Sequence, residues 1–363
     1  MIVILTNPIN STVDKVIDWL NYFNIKYVRV NNFISEIYKI DYFSKLNESI
    51  HDKNHFFWIY KPKATNDKEL SDEIFQQLVF ESYQGFFKSY NKVQSLGKPL
   101  LISDISKFSV LKLATKYGLD VPDTIITNNK SEALFFFKKH KTIITKPSHD
   151  ITNFHINNES YRPYTKVVSV NDIKSLKETH FGISLFQEYI HKKCDIKVFF
   201  FKGKYYGQAI FSQKNEATII DHRVSRDENK SRVIPFGLPI DLKKKLAKLM
   251  KKLELNIAVI DFVLSIDEKL YFLEINPEGI FDSISNSCNF YLEFEIALFL
   301  SRQAINETKY PKSETFFKTP IYFKYLTKIS FDKDLINNEL TINSCKYQTN
   351  SHINNFFYKR III

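Results

Sequence analysis

The sequence predicts a mixed α/β protein of more than one domain, α+β in its second half. Three observations carry this. The 363 residues exceed what one compact core usually holds. The first hundred residues alternate β-forming runs with amphipathic helical stretches, as an open α/β domain does. The second half carries two strand pairs joined by short turns, with amphipathic helices between and after them. The expected divisions are 1–100, 101–185, 186–310 and 311–363.

Taken in order, "IVILT" reads as a first strand and "STVDKVIDWLNYF" as a helix with Ser11 or Thr12 as its N-cap. "KYVRV" and "HFFWIY" read as further strands, and "DKELSDEIFQQLVFESYQGFFKSY", 67–90, as a long amphipathic helix. From Leu101, "SDISKFSVLKLATKYGLDVPDTIITN" reads as a capped helix stopped at Gly118, a turn at Pro122 and a short strand. "SEALFFFKKH" is a helix and "KTIITKPSHD" a strand that ends at Lys146. The polar stretch 148–164 reads as a loop or weak hairpin, before the strand "TKVVSV" and the helix around "NDIKSLKET". "ISLFQEYI" opens the third segment. "DIKVFFFKGKYYGQAIFSQ" is a hairpin turning at Lys202-Gly203-Lys204, and "IDLKKKLAKLMKKLEL" is a helix with a solvated cationic face. "AVIDFVLSIDEKLYFLEINPEG" is a second hairpin turning at "IDEK", and "NFYLEFEIALFLSRQAI" closes the segment. The aromatic, Asn-rich residues from Pro311 onward carry strand-like runs without a readable role.

Hydrophobic residues make up 44% of the chain and aromatics 15%, enough for real cores, and 25% charged residues are ordinary for a soluble protein. No apolar run reaches membrane-spanning length, so no membrane partner is expected. The N-terminus lacks a basic lead and reads as a strand, not a signal peptide. Cys194, Cys288 and Cys345 are too few and too far apart for a zinc pattern or a disulfide framework, so a cytoplasmic location is expected. The net charge of +11 suits an anionic partner such as a nucleotide or an acidic peptide. The chain has 8 glycines and no G-x-G-x-x-G, which argues against a dinucleotide domain. It carries no nucleic-acid-binding motif.

The sharpest chemical signal is a pair of acids on apolar strands. Glu274 and Asn276, two apart in "YFLEINPEG", share a strand face, and Asp261 lies on the other strand of that hairpin. Two carboxylates and an amide oxygen at a strand end form an oxygen-rich site suited to Mg²⁺, whose shell water and nucleotide phosphates complete. Carboxylates held together without a cation would repel.

"VIDF…YFLEINPEG" resembles the metal-binding hairpin of ATP-grasp enzymes, and other elements agree in order. Lys107 in "SDISKFSVLKLATKYG" and Lys146 in "TIITKPSHD" resemble the two nucleotide lysines. "FQEYI", 186–190, resembles the inter-domain linker, which implies nucleotide contacts from Gln187, Glu188, Tyr189 and Ile190, the last three meeting adenine through backbone groups. "CDIKVFFFKGK" and "IIDHRVSR" resemble the Asp-x-Arg and Asp-aromatic-Arg elements, with Lys197 and His222 standing where arginine and an aromatic are usual. The loop after Lys146 lacks the glycines common in nucleotide lids. The resemblance covers roughly 100–305 and implies an N-terminal pre-grasp domain, a central lid domain and a C-terminal domain with the metal site. Within ATP-grasp enzymes, "VILTNPINSTVDKVIDWL", "YTKVVSV" and "NPEGIFDSISNSCNFYLEFEIALFL" resemble the maturases of ribosomal peptides, the microviridin or graspetide type and its grasp-with-spasm branch. Ile280 stands where those maturases usually carry glutamine.

The resemblance implies an ATP-dependent ligase that phosphorylates side-chain carboxylates of a precursor peptide and closes ester or amide rings. Asp261, Glu274 and Asn276 would hold Mg²⁺, two ions being usual. Lys107 and Lys146 would neutralise ATP phosphates, with Lys197 nearby. Arg223 would grip the transferred phosphoryl group, and Asp195 or Asp221 would steer the peptide or take a proton. The implied partners are a precursor peptide with a leader and an acidic core, and a second copy of the chain as a homodimer. Two other readings stay open at this point: an ATP-grasp ligase that adds an amino acid to a protein or small molecule, and a degenerate nucleotide-binding or nucleic-acid-binding module.

Overall fold

A computed structural model describes residues 2–31, 56–61, 94–97, 105–147, 154–156, 159–161, 164–177, 179–214 and 231–304. The expected helix 67–90, the loop bearing Asp221 and Arg223, and the chain from Pro311 onward lie outside them.

The N-terminal strands β1 (Ile2–Leu5), β2 (Tyr27–Val30), β3 (Phe56–Ile59) and the short β4 (Ser95–Leu96) form a parallel sheet in the order β2-β1-β3-β4. All four β1 residues are buried, as in a sheet covered on both faces. Helix α1 (Ser11–Tyr22) buries Val13, Val16, Ile17 and Leu20. Its N-cap is Asn10, whose side chain accepts from the Val13 N–H at 3.2 Å; Ser11 and Thr12, the expected caps, lie inside the first turn. Asparagine caps as well as serine, and here it is also held by donating to Thr6 Oγ1 at 3.1 Å.

Helix α2 (Lys107–Lys116) is capped by Ser106 and stops before Gly118, at φ +77. It leads into an antiparallel sheet, order β5-β10-β6-β9, of β5 (Thr124–Asn129), β6 (Ile143–Lys146), β9 (Lys166–Val168) and β10 (His180–Glu188). Helices α3 (Lys130–His140) and α4 (Val170–Lys174) cover one face through Ala133, Phe136 and Ile173. Within the polar stretch 148–164, β7 (Phe154–Ile156) and β8 (Glu159–Tyr161) pair as a small hairpin.

Strand β10 passes through residues 189–191 into the five-stranded antiparallel sheet, order β13-β12-β11-β14-β15. Its members are β11 (Lys192–Phe201), β12 (Lys204–Phe211), β13 (Arg232–Phe236), β14 (Ile257–Ser265) and β15 (Leu270–Asn276). Lys202 and Gly203, at φ 48 and 88, make the expected two-residue turn between β11 and β12. One face, with Ile196, Val198, Phe200, Ile260, Phe262 and Phe272, packs against α2 and helix α5 (Ile240–Lys252). The other face is divided. Phe199, Phe201, Ile257 and Val259 join a core with α1, β1 and helix α7 (Leu292–Ala304), while the next residues along the same strands are charged. Helix α6 (Asp282–Cys288), absent from the sequence reading, bridges β15 to α7. Among the described residues no helix is long and apolar enough to cross a membrane, and Cys194 and Cys288 are free thiols.

Candidate active site

The charged half of that face is built by register. Gln208 on β12 pairs with Lys197 on β11, Lys197 with Asp261 on β14, and Asp261 with Glu274 on β15. Side chains directly across antiparallel strands share a face, so these four stand in one row. A β-bulge completes it. From the turn, Leu264 pairs with Leu270, Val263 with Tyr271 and Phe262 with Phe272, but Asp261 then pairs with Glu274 and leaves Leu273 unmatched. Without the extra residue Leu273 would oppose Asp261, and Glu274 would point into the apolar core. The bulge turns Glu274, and Asn276 after it, onto the face of Asp261.

The row alternates in charge at close range. Lys197 Nζ donates to Asp261 Oδ2 at 3.3 Å, and Lys107 Nζ, from the first turn of α2, lies 3.1 Å from Glu274 Oε2. The four side chains are only 13–22% exposed, so these ions sit largely out of water. The other oxygen of Asp261, Oδ1, is fully buried and accepts no hydrogen bond. Such an acceptor costs about 1–3 kcal/mol unless a cation or donor meets it. Asn276 Oδ1 accepts from the Glu278 N–H at 2.9 Å, a turn that uses one of its lone pairs. At the end of that turn Gly279, at φ +64, approaches Ile257 so closely that a β-carbon would lie 2.8 Å from it. Among the described residues no group of three or more His, Cys, Asp or Glu is arranged so that it could hold a metal ion. Two carboxylates with an amide are too few to cage a cation alone. They fit Mg²⁺, which keeps water and phosphate oxygens in its shell.

Asp195 lies one step along the same face. It is 8% exposed, receives Lys192 Nζ at 2.7 and 2.9 Å on its two oxygens, and accepts from the Ser212 hydroxyl at 2.6 Å. Burial pushes the nearby Tyr189 phenol up, and the Asp195 charge adds to the shift. Lys146 ends β6 opposite Leu185 and is half-buried. Gln187 is buried and donates to Thr124 Oγ1 at 2.8 Å, while its Oε1 accepts no hydrogen bond. In the linker, the Glu188 N–H donates to the Asp123 carbonyl at 2.9 Å and the Tyr189 N–H to the Thr142 carbonyl at 3.2 Å. Those two amides are therefore committed to the protein. Ile190, next in the linker, is partly buried.

Register brings together Lys197, Asp261, Glu274 and Asn276, and α2 adds Lys107. Arg223 and Asp221 fall outside the described residues. Sequence reasoning missed Gln208 and Lys192. Gln208, 2% exposed with an unpartnered Oε1, was legible, because the turn at Lys202-Gly203 places it opposite Lys197. Lys192 gave no signal: at three residues from Asp195 on a regular strand it would face away, and an irregularity between Lys192 and Cys194 turns it inward.

No family model and no curated protein matches the chain. Solved structures do. A RiPP-associated ATP-grasp ligase from Chryseobacterium gregarium, in complex with ADP and a leader and core peptide, aligns at TM-score 0.68 and 22% identity over 85% of this chain and 97% of its own. The macrocyclase MdnC from Microcystis aeruginosa, bound with its precursor peptide MdnA, aligns at TM-score 0.66 and 21% identity over 83% and 100%. The ATP-grasp ligase PsnB, complexed with minimal precursor, Mg and ADP, aligns at TM-score 0.62 and 14% identity over 84% and 97%. The chain has the fold of the ATP-grasp ligases.

Proposed function

We propose that this protein is an ATP-dependent ligase that activates side-chain carboxylates of a ribosomal precursor peptide and closes ester or amide rings within it. The observation that carries the reading is the Lys197–Asp261–Glu274–Lys107 row with its buried, unpartnered oxygen. It lies on a fold shared with ligases solved with ADP, Mg and precursor peptides. The fold alone would not carry it, since function resides in sites grafted on folds.

A carboxylate is a poor acyl donor because its leaving group would be oxide. Its oxygen attacks the γ-phosphorus of ATP, ADP departs, and an acyl phosphate results. A hydroxyl or amine of the same peptide then attacks the acyl carbon, phosphate leaves with the C–O bond, and one proton is released. The net loss from the peptide is one water per ring. Two anions must meet in this reaction, so fixed cations are needed where charge accumulates. Asp261, Glu274 and Asn276 would hold Mg²⁺, two ions by analogy with the fold, which when bound offsets phosphate charge. Lys107 and Lys146 act as point charges for the phosphates, and Lys107 also keeps Glu274 in place. Lys197 orients Asp261 through one oxygen and leaves the other directed away. Asp195, with both oxygens held by Lys192, acts as a positioning residue for β11 and the neighbouring Tyr189. Adenine would be read by the linker groups that the Asp123 and Thr142 carbonyls do not take, the Ile190 amide foremost, with Gln187 beneath. Arg223 is assigned to the transferred phosphoryl group and Asp221 to the peptide on the sequence resemblance alone.

The same proposal includes domain limits at 100, 185 and 310. It also includes a substrate with a leader and an acidic core, which a net charge of +11 suits, a homodimer, and a cytoplasmic location. Its test is incubation of the full chain with a Thr/Ser- and Asp/Glu-rich precursor encoded beside it, ATP and Mg²⁺. Products lighter by whole water masses are expected. A mass gain equal to an added amino acid would replace this reading with that of an amino-acid ligase.

A further inference from the structure

The turn after α3 braces the linker between the two antiparallel sheets, and it carries a histidine between two carboxylates. His140, the last residue of α3, is 14% exposed. Its Nε2 lies 2.8 Å from Asp123 Oδ2, and its Nδ1 lies 3.3 Å from Glu188 Oε2. The Phe136 ring packs on it at 4.6 Å between centroids. Nε2 is within hydrogen-bond distance of Asp123 and Nδ1 faces Glu188 at ion-pair distance, so the ring stands between the two acids. Asp123 is also held by Lys139, whose hydrogen bond is the main cause of its lowered pKa; His140 adds to it. Among the described residues His140 is the ion-pair partner of the Glu188 carboxylate, and the Lys269 ammonium acts on it at longer range. Lys141, the remaining charged neighbour in the turn, is exposed.

The backbone of this turn is strained in the same service. Lys141 sits at φ 62, ψ −33, and the Thr142 N–H returns to the His140 carbonyl at 2.7 Å, a tight γ-type turn. A non-glycine residue is disfavoured there and persists only where its surroundings fix it. The turn presents the Thr142 carbonyl to the Tyr189 N–H, while the Asp123 carbonyl takes the Glu188 N–H. His140, Thr142 and Asp123 thus hold consecutive linker residues by side chain and by backbone.

We infer that His140 is a positioning residue for nucleotide binding: standing between Asp123 and Glu188, it fixes Glu188, and with it the linker that meets the adenine. The inference rests on the proposed ATP-dependent function. Without the ring, Glu188 loses this contact and the linker loosens.

The test is calorimetric titration of the full chain with ADP and Mg²⁺ for the wild type, His140→Gln, Glu188→Gln and the double variant. The wild type binds about fivefold more tightly than His140→Gln, the effect of one partly shielded contact. Glu188→Gln loses a similar factor, and the double variant loses no more than either single one, because the two side chains act through one contact. His140→Gln equal to wild type, or losses that multiply in the double variant, overturns the role of His140. Wild type that binds no nucleotide overturns the proposed function itself, and this inference with it.

Discussion

Replacing Glu274 by glutamine separates the chemistry of the acid row from its part in folding. Glu274 Oε2 lies 3.1 Å from Lys107 Nζ, with the side chains 22% and 13% exposed. At an effective dielectric of about 20 that pair attracts by about 5 kcal/mol before desolvation is counted. Most of this does not reach the stability of the fold, because the glutamine oxygen still accepts from Lys107 and repulsion from Asp261 disappears. The expected loss is about 1 kcal/mol, or about 2–4 °C in melting temperature for a chain of this size. Ligand linkage behaves differently. With ADP and Mg²⁺ at about 100 times the wild-type Kd, linkage adds about 2.7 kcal/mol, a rise of about 5–10 °C. A variant that binds about 100-fold more weakly keeps only about 0.4 kcal/mol of it, a rise of about 1 °C. ATP turnover with the precursor falls by about 10³. The assay is differential scanning fluorimetry with and without ADP and Mg²⁺, beside phosphate release. Glu268→Gln serves as a control, since its 2.9 Å pair with Lys193 is open to solvent and should alter neither readout. A Glu274→Gln protein that keeps the ligand shift, or a tenth of wild-type turnover, would refute the metal assignment.

Two further outcomes test the surroundings. Lys192→Met strands the buried Asp195 carboxylate, with the pair's side chains only 5% and 11% exposed, and should cost about 3–4 kcal/mol in urea denaturation. Adding Asp195→Leu should recover most of that, and no recovery would mean that the pair is not coupled. Asp123 has a lowered pKa, chiefly through the Lys139 hydrogen bond, so its contribution is present above the ordinary aspartate range and lost as pH falls through its folded value. The melting temperature of Asp123→Asn should therefore trail wild type above about pH 4 and converge with it below. A gap unchanged down to pH 2.5 would contradict the sign.

The strands, the helices and their order were legible because period and punctuation were strong. "FFF" flanked by a Lys-Gly turn has few alternatives, and "DLKKKLAKLMKK" buries Leu246, Leu249 and Met250 as its spacing requires. The short β4, helix α6 and strand β13, which carries Pro235 and no fully buried residue, were not legible. Two residues carry no period, and "DSISNSC" is polar enough to pass for a loop, although its Ile284, Ser285 and Cys288 are buried. Of the site, Lys107, Asp261, Glu274 and Asn276 were visible as residue types out of place. Their partners were not: nothing in the sequence says that Lys107 reaches Glu274, or that His140 stands between Asp123 and Glu188, since these are contacts across 167, 17 and 48 residues. The linker amides of Glu188 and Tyr189 illustrate the same limit, because which carbonyl a backbone N–H finds depends on how the sheets pair.

The bulge at Leu273 ties these observations together. A regular hairpin closed at "IDEK", with the Ser265 N–H on the Lys269 carbonyl, would set Asp261 against Leu273 and send Glu274 into the core beside Phe272. A buried, unpaired carboxylate there would be far costlier than a local break in the ladder. The pattern Phe-Leu-Glu-Ile-Asn has its own solution. Phe272 and Ile275, three apart, both reach the apolar core only if one residue between them is left out of register. The hydrophobic effect thus selects the bulge, and the bulge delivers both polar residues to the opposite face. Burial of Phe272 and Ile275 therefore aims Glu274 and Asn276, and the same strands continue into a core through Val259 and Phe199. The acid row inherits the rigidity of two cores, one on each side of the sheet. Two lysines from outside the hairpin, Lys197 and Lys107, then fix the carboxylates within that frame.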